Sequence, residues 1–353
     1  MYQSAQVKKF PDRKFVFYTN PRGMEFGTKT GRTFADEWNR FEFLPNDRPD
    51  PLNREFHRCY CRDYDRNPVH SMEDYSVWCY RRMITSGACD YLYWDCTYPC
   101  GNSSLPMCDA YRMPNGDIQP ACAMFAMRSL VKRCAVMQAE LGVESGNNWV
   151  HMTNTAMAPL CSFAGVHYDW EDSADLQTFQ DRYGRDYILA CTIGRQFGNR
   201  VAIMGYISKT TPERMAWIER TGVGVMLCHE LLWNRVKQWN AAHGLLTEWG
   251  YRTPDVRVWN YWDEDEAYPL ECSGEDCVSI AMAKPSAREA TIVVCDWAEG
   301  GTVFARPDCA ALGIPSDFSA VNVETGAEVP VEGGAVKVAL KKHDYAMIRL
   351  KAK

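Results

Sequence analysis

Residues 165–172 read GVHYDWED, an apolar and aromatic run that begins as a buried strand and ends in charge. A strand points residues i and i+2 to one side, so Asp169 and Glu171 share a face with Cα atoms roughly 6.5 Å apart. Two carboxylates at a strand end are costly unless water, a partner or a substrate meets them. The stretch therefore reads as a strand that stops at a polar rim, and the question becomes how many similar strands surround it.

Seven further runs rich in β-branched and aromatic residues accompany it: KFVFYT (14–19), RCYCRD (58–63), DYLYWDC (90–96), NWVHMTN (148–154), DYILACT (186–192), RVAIMGY (200–206) and GVGVMLCH (222–229). Helical patterns lie between several of them. SMEDYSVWCYRRMITSG (71–87) opens with Ser71 and Asp74 in capping-box order and closes on Gly87. PACAMFAMRSLVKRCAVMQAELG (120–142) starts with Pro120 and ends on Gly142, and TPERMAWIERTG (211–222) has Thr211 as cap, Pro212 in the first turn and Gly222 at its end. Strands alternating with helices predict an α/β fold with parallel strands, and eight runs predict an irregular (β/α)8 TIM-like barrel. The links 20–57, rich in Gly, Pro, Asn and Asp, and 193–199, too short for a helix, are its irregular parts.

Past residue 255 the pattern changes to short strands with frequent turn signals: VSIAMAK, ATIVVCDWA, GTVFAR, SAVNVE, AVKVALK and YAMIRLK. This predicts a C-terminal antiparallel β-sandwich. The expected organisation is a barrel domain over 1–255 and a sandwich domain over 256–353, joined by the acidic segment YWDEDEAYPLE.

The net charge of −6, with no Lys/Arg-rich run, argues against a nucleic-acid partner. No apolar stretch has the length to cross a bilayer, so no membrane role is expected. The start, MYQSAQVKKFPDRKF, carries no apolar signal region, and the 16 cysteines are scattered singly rather than as a disulfide framework. Both point to a cytoplasmic chain as it stands, or a secreted one if its N-terminus is trimmed. Cys59-Tyr60-Cys61 would place its thiols on opposite strand faces, so no metal and no cofactor are expected. HELLW (229–233) starts like a zinc-protease motif, but Trp233 stands where the second histidine belongs.

In such a barrel the polar residues at strand C-terminal ends line the site. The strand ends offer Arg58, then Trp94 and Asp95, then His151 and Asn154, then Tyr168, Asp169, Trp170 and Glu171, and finally His229 and Glu230. Carboxylates beside His, Trp and Tyr are the inventory that protonates a glycosidic oxygen and steadies an oxocarbenium-like centre. Glu171 is the expected general acid, its pKa raised by burial beside Trp170 and by the charge of Asp169. Asp95 is expected to bind hydroxyls or attack the anomeric carbon. Arg58, Trp94, His151, Asn154, Tyr168, Trp170, His229 and Glu230 are the expected sugar contacts. Rings at strand ends (Tyr93, Trp94, Trp149, Tyr168, Trp170, Trp233) divide between core and cleft.

These motifs carry a resemblance. AGVHYDWE resembles the strand motif DGxDxDxE of family 18 glycoside hydrolases, keeping its last two acids as Asp169 and Glu171, with Ala164 and His167 at the first two acidic positions. YLYWDCTYP (91–99) is similar to the nucleophile strand of the α-galactosidase clan, with Asp95 at the nucleophile's place. The succession HRCYCRDY, GACDYLYWDCTYPCGNSS, NGDIQPACAMFAMRSLVKR, CSFAGVHYDWED and a terminal sandwich resembles family 123-like glycoside hydrolases and their uncharacterised relatives. That resemblance implies a barrel beside β-sandwich domains and action on N-acetylhexosaminides with help from the substrate's acetamido group, which Asp169 would orient. Trp170 separates the two acids that are adjacent in that family. The alternative is a non-catalytic carbohydrate-binding protein on the same fold, for which Ala164 and His167 speak. Sugar identity, anomer and oligomeric state are left open by the sequence.

Overall fold

The computed structural model describes residues 13–21, 71–97, 110–122, 124–151, 162–173, 177–192, 199–206, 210–234, 236–263, 267–274 and 276–353, with a few shorter stretches besides. The expected strand 58–63 and most of the link 20–57 lie outside the described residues. The chain divides into two compact units, Met1–Asp169 with Gly194–Arg200, and Trp170–Ile193 with Val201–Lys353.

The first unit holds strands β1 (Val16–Thr19), β2 (Tyr91–Trp94), β3 (Trp149–His151) and the start of β4 (Val166–Ser173), with helices α1 (Ser71–Thr85) and α2 (Met124–Glu140) between them. Neighbouring strands pair in parallel in chain order, with Tyr18 opposite Tyr93, Tyr93 opposite Trp149, and His151 opposite Tyr168. Glu73 and Asp74 sit in the first turn of α1, where carboxylates suit the helix dipole, and Gly87 and Gly142 take positive φ just past the two helices. The buried residues of α2, Met127, Leu130, Val131, Cys134 and Met137, recur at helical spacing and form one core with Leu92, Trp94, Val150 and Tyr80. Asn148 fixes this packing: its Oδ1 accepts from the Leu92 N–H and from Gln138 Nε2, both at 3.0 Å. With Leu92, Trp94 and Val150 committed to the helices, strand alternation turns Tyr93, Trp149 and His151 to the other face.

In the second unit two expected strands are helical. DYILACT belongs to helix α4 (Arg185–Thr192), which follows the short α3 (Phe179–Arg182), and GVGVMLCH completes α5 (Pro212–Cys228). Thr211 caps α5 as expected, accepting from the Arg214 N–H at 3.2 Å, but the helix runs past Gly222 to Cys228. Short apolar runs do not distinguish a buried strand from a buried helix, and here tertiary packing decides. A Cβ at Gly222 would lie 2.5 Å from the Trp233 ring, and one at Gly224 would lie 2.6 Å from Tyr345 Cβ. The two glycines let the helix approach its neighbours closely. Strand β5 (Arg200–Tyr206) is as expected and pairs in parallel with β6 (Leu232–Asn234), which precedes α6 (Lys237–Trp249).

The C-terminal part is the expected antiparallel sandwich. Strands β7 (Arg257–Asn260), β8 (Leu270–Cys272), β9 (Cys277–Lys284), β10 (Glu289–Asp296), β11 (Gly300–Pro307), β12 (Phe318–Asn322), β13 (Glu328–Val329), β14 (Val331–Glu332), β15 (Ala335–Lys341) and β16 (Tyr345–Ala352) form two sheets. The first has the order β7-β9-β10-β16-β12-β13 and the second β8-β11-β15-β14. Strands β9 and β10 are buried along nearly their whole length because each face has a cover. Ala281, Ile292 and Val294 meet Val303, Val336 and Val338 of the second sheet, while Val278, Ile280 and Val293 pack with Val223, Met226 and Leu227 of α5. Arg220 ties α5 to the sandwich through Asp344 at 2.7 Å, Glu324 at 2.7 Å and the Tyr345 carbonyl at 2.8 Å. The architecture is the α/β class expected: parallel strands alternating with helices, then a C-terminal β-sandwich.

Candidate active site

Among the described residues, the face of β1–β4 that turns away from α2 carries rings and one acid, Asp95. Asp95 follows the last residue of β2, so it stands at that strand's C-terminal end. Its Oδ1 accepts from the Cys96 N–H at 2.8 Å and meets His151 Nδ1 at 2.9 Å, while its Oδ2 accepts from the Tyr18 hydroxyl at 2.5 Å. Cys96 takes a φ of 57°, a left-handed conformation rare outside glycine, and this turn presents its N–H to the carboxylate. Burial alone would raise the Asp95 pKa. The hydrogen bonds from His151 and Tyr18, with lesser help from the imidazole charge and the Cys96 N–H, overcome it and hold the group down at about 2. The acid is thus an anion at any working pH, yet its side chain keeps 19% of its surface open.

His151 is 3% exposed and pairs through Nδ1 with both Asp95 and the Tyr93 hydroxyl, the latter at 2.9 Å. An ionised Asp95 keeps a proton on Nδ1, so Nε2 is the ring nitrogen outside the pair. That Nε2 is buried and has no hydrogen-bond partner among the described residues. Its backbone is fixed from the other side, since the His151 carbonyl accepts from the Thr97 N–H at 3.1 Å and its hydroxyl at 2.7 Å. The rings continue outward. Tyr93 stacks on Tyr18 with centroids 5.2 Å apart, and Tyr168 meets Tyr93, Trp149 and His151 at 5.8, 5.1 and 5.4 Å. Tyr18 is 58% exposed. An ionised, partly open carboxylate among aromatic faces can bind hydroxyls or meet an electrophilic carbon.

Asp95, His151 and Tyr168 are therefore brought together as expected. The backbone of Asp169, Trp170 and Glu171 continues β4 beyond Tyr168, while their side chains, with Arg58 and Asn154, lie outside the described residues. Trp94 is corrected: it is fully buried against Tyr80 in the α2 core, on the opposite face from Asp95, and has no face to offer a sugar. His229 and Glu230 are corrected as well. His229 closes α5, its Nδ1 bonded to the Val225 carbonyl at 2.7 Å and its Nε2 to the Tyr261 hydroxyl at 2.9 Å, with Trp262 stacked on it. Burial lowers its pKa to about 4, so it is neutral. Glu230 accepts from the Tyr251 hydroxyl at 2.8 Å and from Asn260 Nδ2 at 3.0 Å. Both residues spend their polar atoms inside the fold. Tyr18 is not among the residues the sequence singles out, and Tyr93 is there only as one ring of several.

No family model matches the chain, and no curated protein matches it. Solved structures do. An α-amylase from Lactobacillus plantarum is similar over 99% of this chain and 81% of its own, with a TM-score of 0.57 at 11% identity. A GH27 β-L-arabinopyranosidase from Geobacillus stearothermophilus is similar over 99% and 76%, with a TM-score of 0.56 at 10% identity. A GH36 α-galactosidase from the same organism is similar over 99% of this chain but only 46% of its own, with a TM-score of 0.52 at 11% identity. These neighbours are (β/α)8 glycoside hydrolases with a C-terminal β-sandwich, and the chain shares that fold.

Proposed function

We propose that the chain is a glycoside hydrolase, related to the family 123-like enzymes, with residues 1–255 as its catalytic barrel and 256–353 as its sandwich. The observation that carries this reading is the Asp95 carboxylate, ionised and partly open at the end of a parallel strand, beside the stacked rings of Tyr18 and Tyr93. An acid with so low a pKa cannot donate a proton near neutral pH, which suits it to attack the anomeric carbon or steady its charge. The proton for the leaving oxygen is assigned to Glu171 on β4, an assignment that, on the register that sets Tyr168 opposite His151, requires the strand's alternation to break beyond residue 168. Asp169 orients the acetamido group where the sugar is an N-acetylhexosamine. His151, Arg58, Asn154, Tyr168 and Trp170 complete the contacts. The named neighbours act on carbohydrate, which supports a carbohydrate substrate here.

The test is a panel of aryl α- and β-glycosides. Glu171→Gln is expected to lower kcat by orders of magnitude on substrates with poor leaving groups, and far less on dinitrophenyl glycosides, whose leaving group needs no proton. A 2-deoxy-2-fluoro glycoside of the cognate sugar is expected to leave a covalent mass on the peptide holding Asp95. Near wild-type turnover in Glu171→Gln would remove that residue from the role. The second reading, a binding protein on this fold, rests on Ala164 and His167, both buried. Sugar binding on a glycan array with no turnover of any glycoside would carry it instead.

A further inference from the structure

The two oxygens of Asp95 are not equivalent. Oδ1 is held by two donors that belong to rigid surroundings, the Cys96 N–H at 2.8 Å and the buried His151 Nδ1 at 2.9 Å. Oδ2 has a single partner among the described residues, the hydroxyl of Tyr18, which arrives from β1, 77 residues earlier in the chain. That phenol is the most exposed member of the cluster, and its ring stacks on Tyr93. We propose that Tyr18 is a positioning residue for Asp95: it holds Oδ2, the oxygen left free to meet the anomeric carbon, in line for attack. The inference rests on the glycosidase reading and adds to it which oxygen reacts and what aims it.

The step balances without a further reactant. An Oδ2 lone pair forms the bond to the anomeric carbon, the glycosidic C–O bond breaks, and its electron pair takes the Glu171 proton. Tyr18 keeps its proton throughout and shifts its hydrogen bond as Oδ2 loses charge. His151 and Cys96 retain Oδ1, so the carboxylate does not rotate away as the bond forms. Loss of the Tyr18 hydroxyl removes one hydrogen bond from the charged form of Asp95 and leaves the ring stack in place, so the carboxyl becomes easier to protonate.

The experiment compares the whole chain with Tyr18→Phe and, as a control, Tyr93→Phe, whose lost hydroxyl faces His151 rather than Oδ2. Aspartate labelled with ¹³C at the carboxyl is titrated by NMR, the Asp95 signal being identified by its loss in Asp95→Asn. In Tyr18→Phe the midpoint is expected to rise by ~1 pH unit, and to rise less in Tyr93→Phe. On the cognate aryl glycoside, kcat/KM for Tyr18→Phe is expected to fall ~10- to 100-fold, the scale of one hydrogen bond to a charged group, with its acidic limb moved to higher pH. A purely structural role would lower the melting temperature without moving that limb. An unchanged Asp95 midpoint in folded Tyr18→Phe overturns the proposal. A raised midpoint in a chain that cleaves no glycoside overturns the glycosidase reading and the attack by Oδ2, while the phenol's hold on the carboxylate stands.

Discussion

Two regions of this molecule place a histidine and a carboxylate near rings, and they differ in where the polar atoms are spent. Around His229 and Glu230 every one of the four polar side-chain atoms has a partner: Val225, Tyr261, Tyr251 and Asn260. Around His151 and Asp95 one imidazole nitrogen has no hydrogen bond among the described residues, and the carboxylate keeps part of its surface open. Composition is nearly the same in the two places. A saturated cluster stabilises the fold, because each buried group meets its counterpart. A cluster left with spare polar atoms has capacity for a ligand. Hydrogen-bond saturation separates the two more sharply than residue type.

The largest difference is expected in activity. Asp95→Asn should abolish turnover by at least ~10³-fold, about 4 kcal/mol of barrier, a far larger effect than the modest stability lost with the carboxylate's charge-assisted hydrogen bonds. Glu230→Ala should do the reverse. It strands the Tyr251 hydroxyl and the Asn260 amide, each costing about 1–3 kcal/mol when buried without a partner, so stability should drop by about 3 kcal/mol. Activity per folded molecule should be unchanged, measured beside a thermal melt of the same preparation. If Glu230→Ala kills turnover in folded protein, the saturation argument is broken.

The pH dependence of stability sharpens the comparison further. His229 has its folded pKa lowered to about 4 by burial, below the ~6.5 of an unfolded histidine. A depressed folded pKa means the unfolded chain binds the proton first. His229 thus supports stability above pH ~6.5, and the support fades as the pH falls toward 4, by about 2–3 kcal/mol in all. Melting curves between pH 7 and 4 should show this loss, and His229→Gln should flatten it. Asp95 moves in a lower window, between the ordinary carboxylate value and about 2, and contributes nothing to the change above pH 5.

Sequence alone reached part of this. YLYWD was legible as a strand ending in an acid because its alternation is local, and Asp95 stands where that reading places it. Which of Tyr93 and Trp94 faces the site was not legible: the choice is one step of strand parity, and it is set by the packing of Met127 and Leu130 from α2. Tyr18 could not be found beside Asp95 because their contact spans two strands that only parallel pairing brings together. The GVGVM segment looked like a strand since Val favours one. Its helical state depends on glycines fitting against Trp233 and Tyr345, contacts distant in the chain. The longer strands of the sandwich were readable, being regular and broken by turns, whereas the two- and three-residue strands β8, β13 and β14 are too short to show an alternation.

The smallest expected effect comes from making one edit twice. Tyr18→Phe and Tyr261→Phe each delete a phenol hydroxyl that meets a polar group of one of the two clusters, Asp95 in the first case and His229 in the second. Tyr261→Phe leaves the His229 Nε2 buried without its donor, which should cost about 1 kcal/mol of stability and lower the melting temperature slightly. It should leave kcat, KM and the pH profile where they are, because that imidazole takes no part in binding. Tyr18→Phe should also cost about 1 kcal/mol at neutral pH, the linkage counterpart of a ~1-unit rise in the Asp95 midpoint, and in addition should move the acidic limb of activity. Two chemically identical substitutions would then cost similar stability, and only one would register in catalysis. A catalytic effect from Tyr261→Phe, measured at equal folded fraction, would show that a saturated cluster can still act on substrate.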